Sequence, residues 1–273
     1  MLFRSMKNLT IEKRGKGRPK KAQAEAVAFD PKSVHIFKGS ELKFNESIFR
    51  PMKTGTLMDE LLSADKGLMP AVNMIICEGP GTGKSTVVLD MLARLAKTGK
   101  RVLFVSGEMD EIGHFKYCKR MPHFATVPTL FLKNYTETVR ETMEYVFDQG
   151  YDVVAIDSIA EVIEMYKDTY RTTESAAELW FLNLQSTVKK GENKLKKYTT
   201  FINIQQVTKA GDFAGSNRLK HMTEAMCHLE RIKDSDSRKI YFSKNRDNNI
   251  DMSITYRIGL NQVEYNLEQA DEE

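Results

Sequence analysis

The sequence predicts an α/β fold: a mostly parallel central sheet, flanked by helices, with an antiparallel extension at its C-terminal end. From residue 73 onward, apolar segments of strand length alternate with amphipathic helical segments, a pattern typical of parallel strands joined by covering helices. The last three strand-like segments follow one another without a helix between them, which indicates antiparallel pairing. With 41% hydrophobic and 29% charged residues in a chain of 273, the composition is that of an ordinary globular protein.

The predicted elements follow one another in a βα order. The predicted helices cover residues 54–63, 84–97, 111–119, 136–147, 175–189 and 219–227. The predicted strands cover residues 74–77, 102–106, 130–132, 153–156, 199–204, 228–232, 239–242 and 252–256. The segment 153–156 is entirely apolar, as a parallel strand buried on both faces requires.

Charge is distributed unevenly along the chain. The net charge is +4, but residues 1–53 hold thirteen Lys or Arg and five Asp or Glu, a net +8, which leaves −4 for the remainder. Four regions are predicted: a disordered basic arm at 1–30, a lead-in segment at 31–70, the α/β domain at 71–265 and an acidic tail at 266–273. A basic arm on a weakly acidic body indicates a polyanionic partner, although a solvated tail without a partner has the same composition.

The basic arm contains one short segment of recognisable character. Gly17-Arg18-Pro19 resembles the core tripeptide of an AT-hook, which binds the minor groove of DNA. Basic residues surround this tripeptide on both sides. The candidate DNA contacts in the arm are Lys16, Arg18, Lys20 and Lys21.

A glycine-rich segment joins the first predicted strand to the helix that begins at Lys84. Its glycines let backbone N–H groups turn toward phosphate oxygens, and the helix N-terminus adds the positive end of its dipole. Lys84 is placed to reach the β- and γ-phosphates of a nucleotide, and the Ser85 hydroxyl is placed to bind Mg²⁺. Glu78 occupies the position of the motif's usual first glycine. The candidate nucleotide-binding residues are Gly79, Pro80, Gly81, Thr82, Gly83, Lys84, Ser85 and Thr86.

Two carboxylates follow buried strands of the predicted sheet. Asp157 ends the strand 153–156, and Glu108 follows the strand 102–106. Ligands of open α/β sheets bind at the C-terminal ends of the strands. We therefore expect Asp157 to hold Mg²⁺ with Ser85, partly through water, and Glu108 to activate the water that attacks the γ-phosphate. A surface glutamate without a role remains the alternative for Glu108.

Polar segments follow two other predicted strands. Gln206 follows the strand 199–204 and is expected to sense the γ-phosphate, with a solvated strand end as the alternative. The loops after Gln206 and after Asp157 contain cations, and the second also contains Tyr170, which suits contact with a single-stranded backbone and base stacking. The candidate DNA contacts in these loops are Lys167, Arg171, Lys209 and Arg218.

Lys244 and Arg246 follow a late strand. Their spacing places both cations on one face of an extended segment. They are far in sequence from Lys84, so we expect them to reach the nucleotide of a neighbouring subunit, where an arginine stabilises the charge that develops on the transferred phosphoryl group. A basic turn without this role is the alternative.

Several function classes are excluded by composition. No apolar run approaches the roughly 20 residues that a membrane helix needs, and the N-terminal residues lack a secretory apolar region. The three cysteines, Cys77, Cys118 and Cys227, are far apart and form no Cys-x-x-Cys pair. Reduced thiols, no membrane partner and a cytoplasmic location are expected, in the host cytoplasm if a virus encodes the chain.

Taken together, these motifs resemble the RecA-fold P-loop ATPases, and among them the RadA/Sms recombination proteins, with the DnaB-type hexameric helicases as relatives. The resemblance covers about residues 50–260. Its most specific segments are Val207-Thr208-Lys209, Ala214-Gly215, His221-Met222 and Lys244-Asn245-Arg246, in that order. Asp247 and Asn248 stand where the family has Phe and Gly, and the zinc-finger cysteines and Lon-protease-like domain typical of RadA proteins are missing, so the resemblance implies a RecA-like motor domain.

The resemblance implies a DNA-dependent ATPase that uses ATP and Mg²⁺, forms a ring, expected to be hexameric, and acts on single-stranded DNA in recombination, repair or replication. It implies that Lys84, Glu108, Asp157, Gln206, Lys244 and Arg246 are catalytic, and that other recombination or replication proteins are possible partners. Two alternatives remain open: a KaiC-like signalling ATPase or kinase that binds no DNA, and a loader or scaffold that binds ATP to assemble on partners. Stimulation of ATP hydrolysis by DNA separates the first reading from both alternatives.

Overall fold

A computed structural model describes residues 31–207 and 217–267 of the chain. The chain divides into two compact units, residues 1–43 and 44–273. The described part of the first unit contains two short 3-10 helices, Pro31–Ser33 and Gly39–Glu41. The predicted arm at 1–30 lies outside the described residues, and the boundaries predicted at 30 and 70 remain predictions.

A single sheet of nine strands organises the described part of the second unit. Its strands are β1 (Asn73–Glu78), β2 (Val102–Ser106), β3 (Thr129–Phe131), β4 (Val153–Asp157), β5 (Thr200–Gln206), β6 (Ala225–Arg231), β7 (Arg238–Asn245), β8 (Ser253–Ile258) and β9 (Val263–Leu267). Their order across the sheet is β3-β2-β4-β5-β1-β6-β7-β8-β9. The first six pair in parallel and the last three pair antiparallel, which confirms the predicted fold class.

Helices cover both faces of this sheet. The helices are α1 (Met58–Leu62), α2 (Lys84–Lys97), α3 (Glu111–Arg120), α4 (Val139–Asp148), α5 (Ile159–Thr169), α6 (Glu174–Lys189) and α7 (Asn217–Met222). Side chains alternate between the faces along a strand, so Ile76 of β1 packs in the cluster that contains Val88 of α2. Its neighbour Cys77 packs in the cluster that contains Ile159 of α5 and Phe181 of α6.

Two predicted elements were wrong in type. The polar loop predicted at 165–175 is limited to residues 170–173, because α5 continues to Thr169 and α6 begins at Glu174. Helix α5 forms because Ile159, Val162 and Ile163 repeat at helical spacing and are buried. The helix predicted at 219–227 ends at Met222. Residues 225–231 instead form β6, whose alternate residues are buried, because this strand can pair with both β1 and β7.

Other differences concern boundaries. Strand β9 was not predicted, and it continues to Leu267, so the predicted boundary at 265 lies inside a strand. The helix predicted at 136–147 begins at Val139, because a 3-10 segment, Leu132–Thr138, precedes it. The helix predicted at 54–63 is limited to α1. No helix within residues 31–207 and 217–267 combines the length and apolar character needed to cross a bilayer.

Candidate nucleotide-binding site

The loop between β1 and α2 has the backbone conformation that its glycines predict. Gly81 and Gly83 adopt positive φ angles of 77° and 97°, which side-chain-bearing residues rarely adopt. A Cβ at Gly83 would also lie 2.5 Å from Cδ1 of Ile258. The backbone angle therefore favours glycine at position 83, and a side chain there would also displace the end of the Ile258 side chain.

Lys84 begins α2 and turns back over this loop. Its Nζ donates to the carbonyl oxygens of Glu78 and Gly79, at 2.8 and 2.9 Å. Burial lowers the pKa of the ammonium, while the carboxylates of Asp157 and Glu108 oppose that change. An ammonium has three N–H donors, so one more donor is available to an oxygen of a bound anion.

The C-terminal strands hold the loop from the other side. The buried hydroxyl of Tyr256 in β8 donates to the carbonyl oxygen of Thr82 at 2.6 Å. Nη2 of Arg231, at the end of β6, donates to the carbonyl oxygen of Gly81 at 2.7 Å. Both residues lie about 150 positions or more from the loop in sequence, and neither belonged to a predicted motif.

Ser85 and Asp157 meet beside Lys84. The Ser85 hydroxyl donates to Oδ2 of Asp157 at 2.5 Å, which joins the start of α2 to the end of β4. Asp157 is only 4% exposed. Burial raises the pKa of Asp157 to about 6, and the charge of Glu108 acts in the same direction, while the Ser85 hydrogen bond and Lys84 lower it.

Glu108 borders the same space. The backbone N–H groups of Gly107 and Glu108 donate to the carbonyl oxygen of Asp157, at 2.7 and 3.3 Å, so the ends of β2 and β4 are tied together. Nζ of Lys133 donates to the carbonyl oxygen of Glu108 at 2.9 Å. These backbone contacts position an exposed carboxylate at the rim of the site.

A cavity of about 450 Å³ contains these groups. The charged side chains in its lining are Lys84, Glu108, Arg120, Asp157 and Arg238. The size is within the usual range of small-molecule sites, about 300–1,000 Å³. Arg238 adds a guanidinium to this lining, and its Nε is buried without a hydrogen-bond partner among the described residues.

The oxygen atoms of Ser85 and Asp157 are of the kind that Mg²⁺ prefers. Within the part of the chain that the structure describes, no group of three or more His, Cys, Asp or Glu side chains could hold a metal ion. Mg²⁺ is commonly held by one or two protein oxygens together with nucleotide phosphates and water, so this pair fits the ion.

Gln206 ends β5 directly opposite Glu78 of β1. Its backbone therefore lies at the edge of the sheet where the phosphate-binding loop begins. Its proposed role in sensing the γ-phosphate stays a prediction.

Lys244 and Arg246 lie where β1 begins, at the end of the strands opposite the candidate nucleotide cavity. Asn245 pairs with Ala225, and Ala225 pairs with Met74, four residues before Glu78, or about 13 Å along the strand. Nζ of Lys244 donates to the carbonyl oxygens of Lys220, at 3.0 Å, and Thr223, so the ammonium already stabilises the end of α7. The structure therefore separates these two cations from the nucleotide cavity of their own chain.

The described candidate DNA contacts lie in α5, in the turn that follows it and in α7. Lys167 lies in the last turn of α5, 3.8 Å from Asp168, and Arg171 follows with a positive φ of 47°. Nε of Arg218 in α7 lies 3.9 Å from a carboxylate oxygen of Glu178. Lys209 and the arm residues Lys16, Arg18, Lys20 and Lys21 lie outside the described residues.

Curated proteins and solved structures show similarity to this chain. No family model matches the chain. It is similar to the DNA repair protein RadA of Campylobacter jejuni, with 31% identity over 181 residues, and to that of Mycobacterium tuberculosis H37Rv, with 27% identity over 201 residues. The predicted resemblance to the RadA proteins is thereby confirmed. These alignments cover 66% and 72% of the chain but only 38% and 39% of the two relatives.

Solved structures support the predicted fold of this chain. The RadB recombinase matches with a TM-score of 0.58 at 17% identity, over 78% of this chain and 98% of RadB. A KaiC-like protein from Pyrococcus horikoshii OT3 matches with a TM-score of 0.57 at 16% identity, over 79% of this chain and 98% of its own. The predicted RecA-like fold is thereby confirmed.

Proposed function

We propose that the protein is a DNA-dependent ATPase of DNA repair or recombination, which hydrolyses ATP between the subunits of a ring on single-stranded DNA. The observation that carries this proposal is the junction of Lys84, Ser85 and Asp157 in one cavity at the sheet edge. Similarity to the DNA repair protein RadA and to RecA-fold proteins supports an ATP-hydrolysing enzyme with a role in DNA repair.

Different side chains in the cavity would bind phosphate, hold Mg²⁺ and accept a proton. Lys84 and Arg238 would bind phosphate oxygens, and Ser85 with Asp157 would hold Mg²⁺, which withdraws electron density from the phosphoryl group when it is bound. Burial raises the pKa of Asp157 to about 6 in the metal-free protein, and Mg²⁺ would compete with the proton for this carboxylate. Glu108 would accept the proton of the attacking water at a carboxylate oxygen.

Arg246 and Lys244 are proposed to act on the nucleotide of the next subunit. Their position at the edge opposite the cavity of their own chain supports action in trans, since a cis contact would have to span the length of a strand. Arg246 is the stronger candidate, because the ammonium of Lys244 is committed to the carbonyl oxygens at the end of α7. A hexameric ring and contacts with other recombination or replication proteins are part of the same proposal.

The DNA contacts are proposed to come from the segments after β4 and β5, with Lys167, Arg171, Lys209 and Arg218, and from the basic arm. Positive charge along these segments would bind the phosphates of a single strand. A cytoplasmic location accompanies this role.

The test combines two measurements on the purified chain. ATP hydrolysis is measured with and without single-stranded DNA, and the particle mass is measured with ATP bound. Stimulation by DNA together with a ring-sized mass supports the proposal. A rate that DNA does not change contradicts it.

A KaiC-like role without DNA is the second candidate, because the KaiC-like neighbour matches the fold as well as RadB does. Transfer of ³²P from ATP to protein, with no response to DNA, would favour it. ATP-dependent assembly on a partner without either activity would favour a loader or scaffold.

A further inference from the structure

A second cavity lies where the parallel strands begin, at the end of the strands opposite the candidate nucleotide site. It has a volume of about 300 Å³, and Lys100, Asp152, Lys197 and Tyr198 line it. These residues precede β2, β4 and β5, which are adjacent parallel strands. The cavity, here called the basal cleft, is therefore about one strand length, roughly 13 Å along β4, from the end of β4 where Asp157 lies.

The lining of the basal cleft is strongly cationic. Arg50, Lys100, Lys196 and Lys197 face a single carboxylate in the lining, that of Asp152. Asp152 is already satisfied, because Oδ1 accepts from Nζ of Lys197 at 2.7 Å and Oδ2 accepts from the backbone N–H of Arg101 at 2.7 Å. Arg50, Lys100 and Lys196 have no ion pair among the described residues, so three positive charges remain uncompensated.

The loop that supplies the lysines is held in place by Asn193. The Asn193 side chain is buried, its Nδ2 donates to the carbonyl oxygen of Lys197 at 2.8 Å, and its Oδ1 accepts from the N–H of Lys197 at 3.1 Å. Asn193 and Leu195 also pack closely against Gly150. Lys196 adopts a positive φ of 52°, an uncommon conformation that these contacts maintain. The cationic loop is therefore preorganised.

We propose that the basal cleft binds the phosphodiester backbone of nucleic acid, as a contact additional to the segments that follow β4 and β5. Three uncompensated cations around a concave surface suit successive phosphates. The Ser47 and Tyr198 hydroxyls in the same lining are donors of the kind that hydrogen-bond to phosphate oxygens. The inference rests on the proposed DNA-dependent function and names a further site for the same ligand.

The experiment removes the three uncompensated charges from the full chain. The variant Arg50→Gln/Lys100→Gln/Lys196→Asn uses asparagine at 196 because asparagine tolerates a positive φ. Binding of fluorescent single-stranded and duplex DNA is measured by anisotropy at several salt concentrations. If all three cations contact phosphates, the slope of log K against log salt should fall by about 2 for a single strand and slightly more for a duplex.

A matched control loses three charges elsewhere. Lys116, Lys119 and Lys233 are exposed, and their replacement by glutamine removes the same net charge. This control should retain the native slope within about 0.5. An equal loss in both triple variants would show that only net charge matters and would overturn the proposal.

A charge-retaining variant checks that structure is preserved. Arg50→Lys/Lys100→Arg should bind DNA with the native slope. This variant and the triple basal-cleft variant should both keep the native melting temperature and the native rate of ATP hydrolysis without DNA. Polyglutamate should compete poorly with DNA for the native protein. Preferential displacement of DNA by polyglutamate at matched charge would overturn the proposal in favour of an acidic protein partner.

The experiment distinguishes failure of the proposed DNA-dependent function from failure of the basal-cleft site. If the native chain binds no DNA, the proposed function fails. If the native chain binds DNA and the basal-cleft variant binds it with an unchanged slope, only the basal-cleft site is wrong.

Discussion

The Ser85 hydroxyl donates to Oδ2 of Asp157 at 2.5 Å, across 72 positions of sequence. The bond places one hydroxyl oxygen and one carboxylate at the start of α2 and the end of β4, beside the ammonium of Lys84. The two candidate ligands for Mg²⁺ are therefore brought together by the fold of the protein itself.

Lys84→Ala should abolish ATP hydrolysis and weaken nucleotide binding, because it removes the cation that lies over the phosphate-binding loop. Hydrolysis is measured by phosphate release, and binding by fluorescence of a labelled nucleotide. Lys97→Ala, an exposed position in the last turn of the same helix, is the control and should behave as the native chain. Native turnover in Lys84→Ala would show that hydrolysis occurs elsewhere.

Glu108→Gln should bind nucleotide normally but hydrolyse it about 10²–10⁴ times more slowly, because the amide cannot accept a proton from water. Single-turnover hydrolysis with saturating protein isolates this step. Glu111→Gln alters an exposed glutamate on α3 and should leave the rate unchanged. An undiminished rate in Glu108→Gln would exclude Glu108 from catalysis and leave Asp157 as the candidate base.

Asp157 should make the stability of the nucleotide-free protein depend on pH. Its folded pKa, about 6, is above the ordinary 3.8, so the folded state retains a proton that the unfolded state loses. The resulting stabilisation is complete below pH 3.8 and is lost as pH rises to about 6, a change of about 3 kcal/mol.

Urea unfolding from pH 4 to 7 in metal-free buffer measures this effect. Asp157→Asn should lack that part of the pH dependence, so its stability relative to the native chain should increase with pH. Asp251→Asn, at an exposed position, should follow the native curve. Parallel curves for the native chain and Asp157→Asn would contradict the shift.

Arg238→Ala should weaken nucleotide binding by about tenfold or more, the usual scale for losing a charged hydrogen-bond donor. Arg238 lines the candidate nucleotide cavity, where its guanidinium would add a cationic donor for phosphate oxygens. Arg257→Ala, which removes an exposed arginine from β8, is the control. Equal affinities for the two variants would remove Arg238 from the site.

Arg246→Ala should retain nucleotide affinity but lose hydrolysis by about 10³-fold or more if this arginine acts in trans. Mixtures with Lys84→Ala should regain activity, because some interfaces then combine an intact loop with an intact arginine. Assembly of mixed particles is confirmed by mass. Mixed particles without activity at any ratio would contradict action in trans.

Local sequence patterns predicted most of the sheet. The apolar segment of β4 and the glycine turn before Lys84 carry their own signals, since burial on both faces and a positive φ each require particular residue types. The hydrophobic pattern predicted the wrong element where a helix is closely followed by a strand. Residues 225–227 lie shortly after α7, and only pairing with β1 and β7 selects a strand there.

The candidate site was predicted only in part, because some of its residues reach it only through long-range strand pairing. Glu108 and Asp157 were identified because each follows a buried strand, and parallel strands end at one edge. Arg238 begins β7, and no local pattern distinguishes it from other surface arginines. Its position in the cavity depends on pairing of Arg231 with Arg238 across the antiparallel extension.

The sequence by itself determined the α/β class, the glycine turn before Lys84 and the placement of two carboxylates after buried strands, because each depends on residue types within a few neighbouring positions. The tertiary structure decided which distant residues meet: Tyr256 with the carbonyl of Thr82, Lys244 with the end of α7, and Arg50 with the lysines of the basal cleft. Strand order and register decide these contacts, and they depend on how the whole sheet buries its two faces.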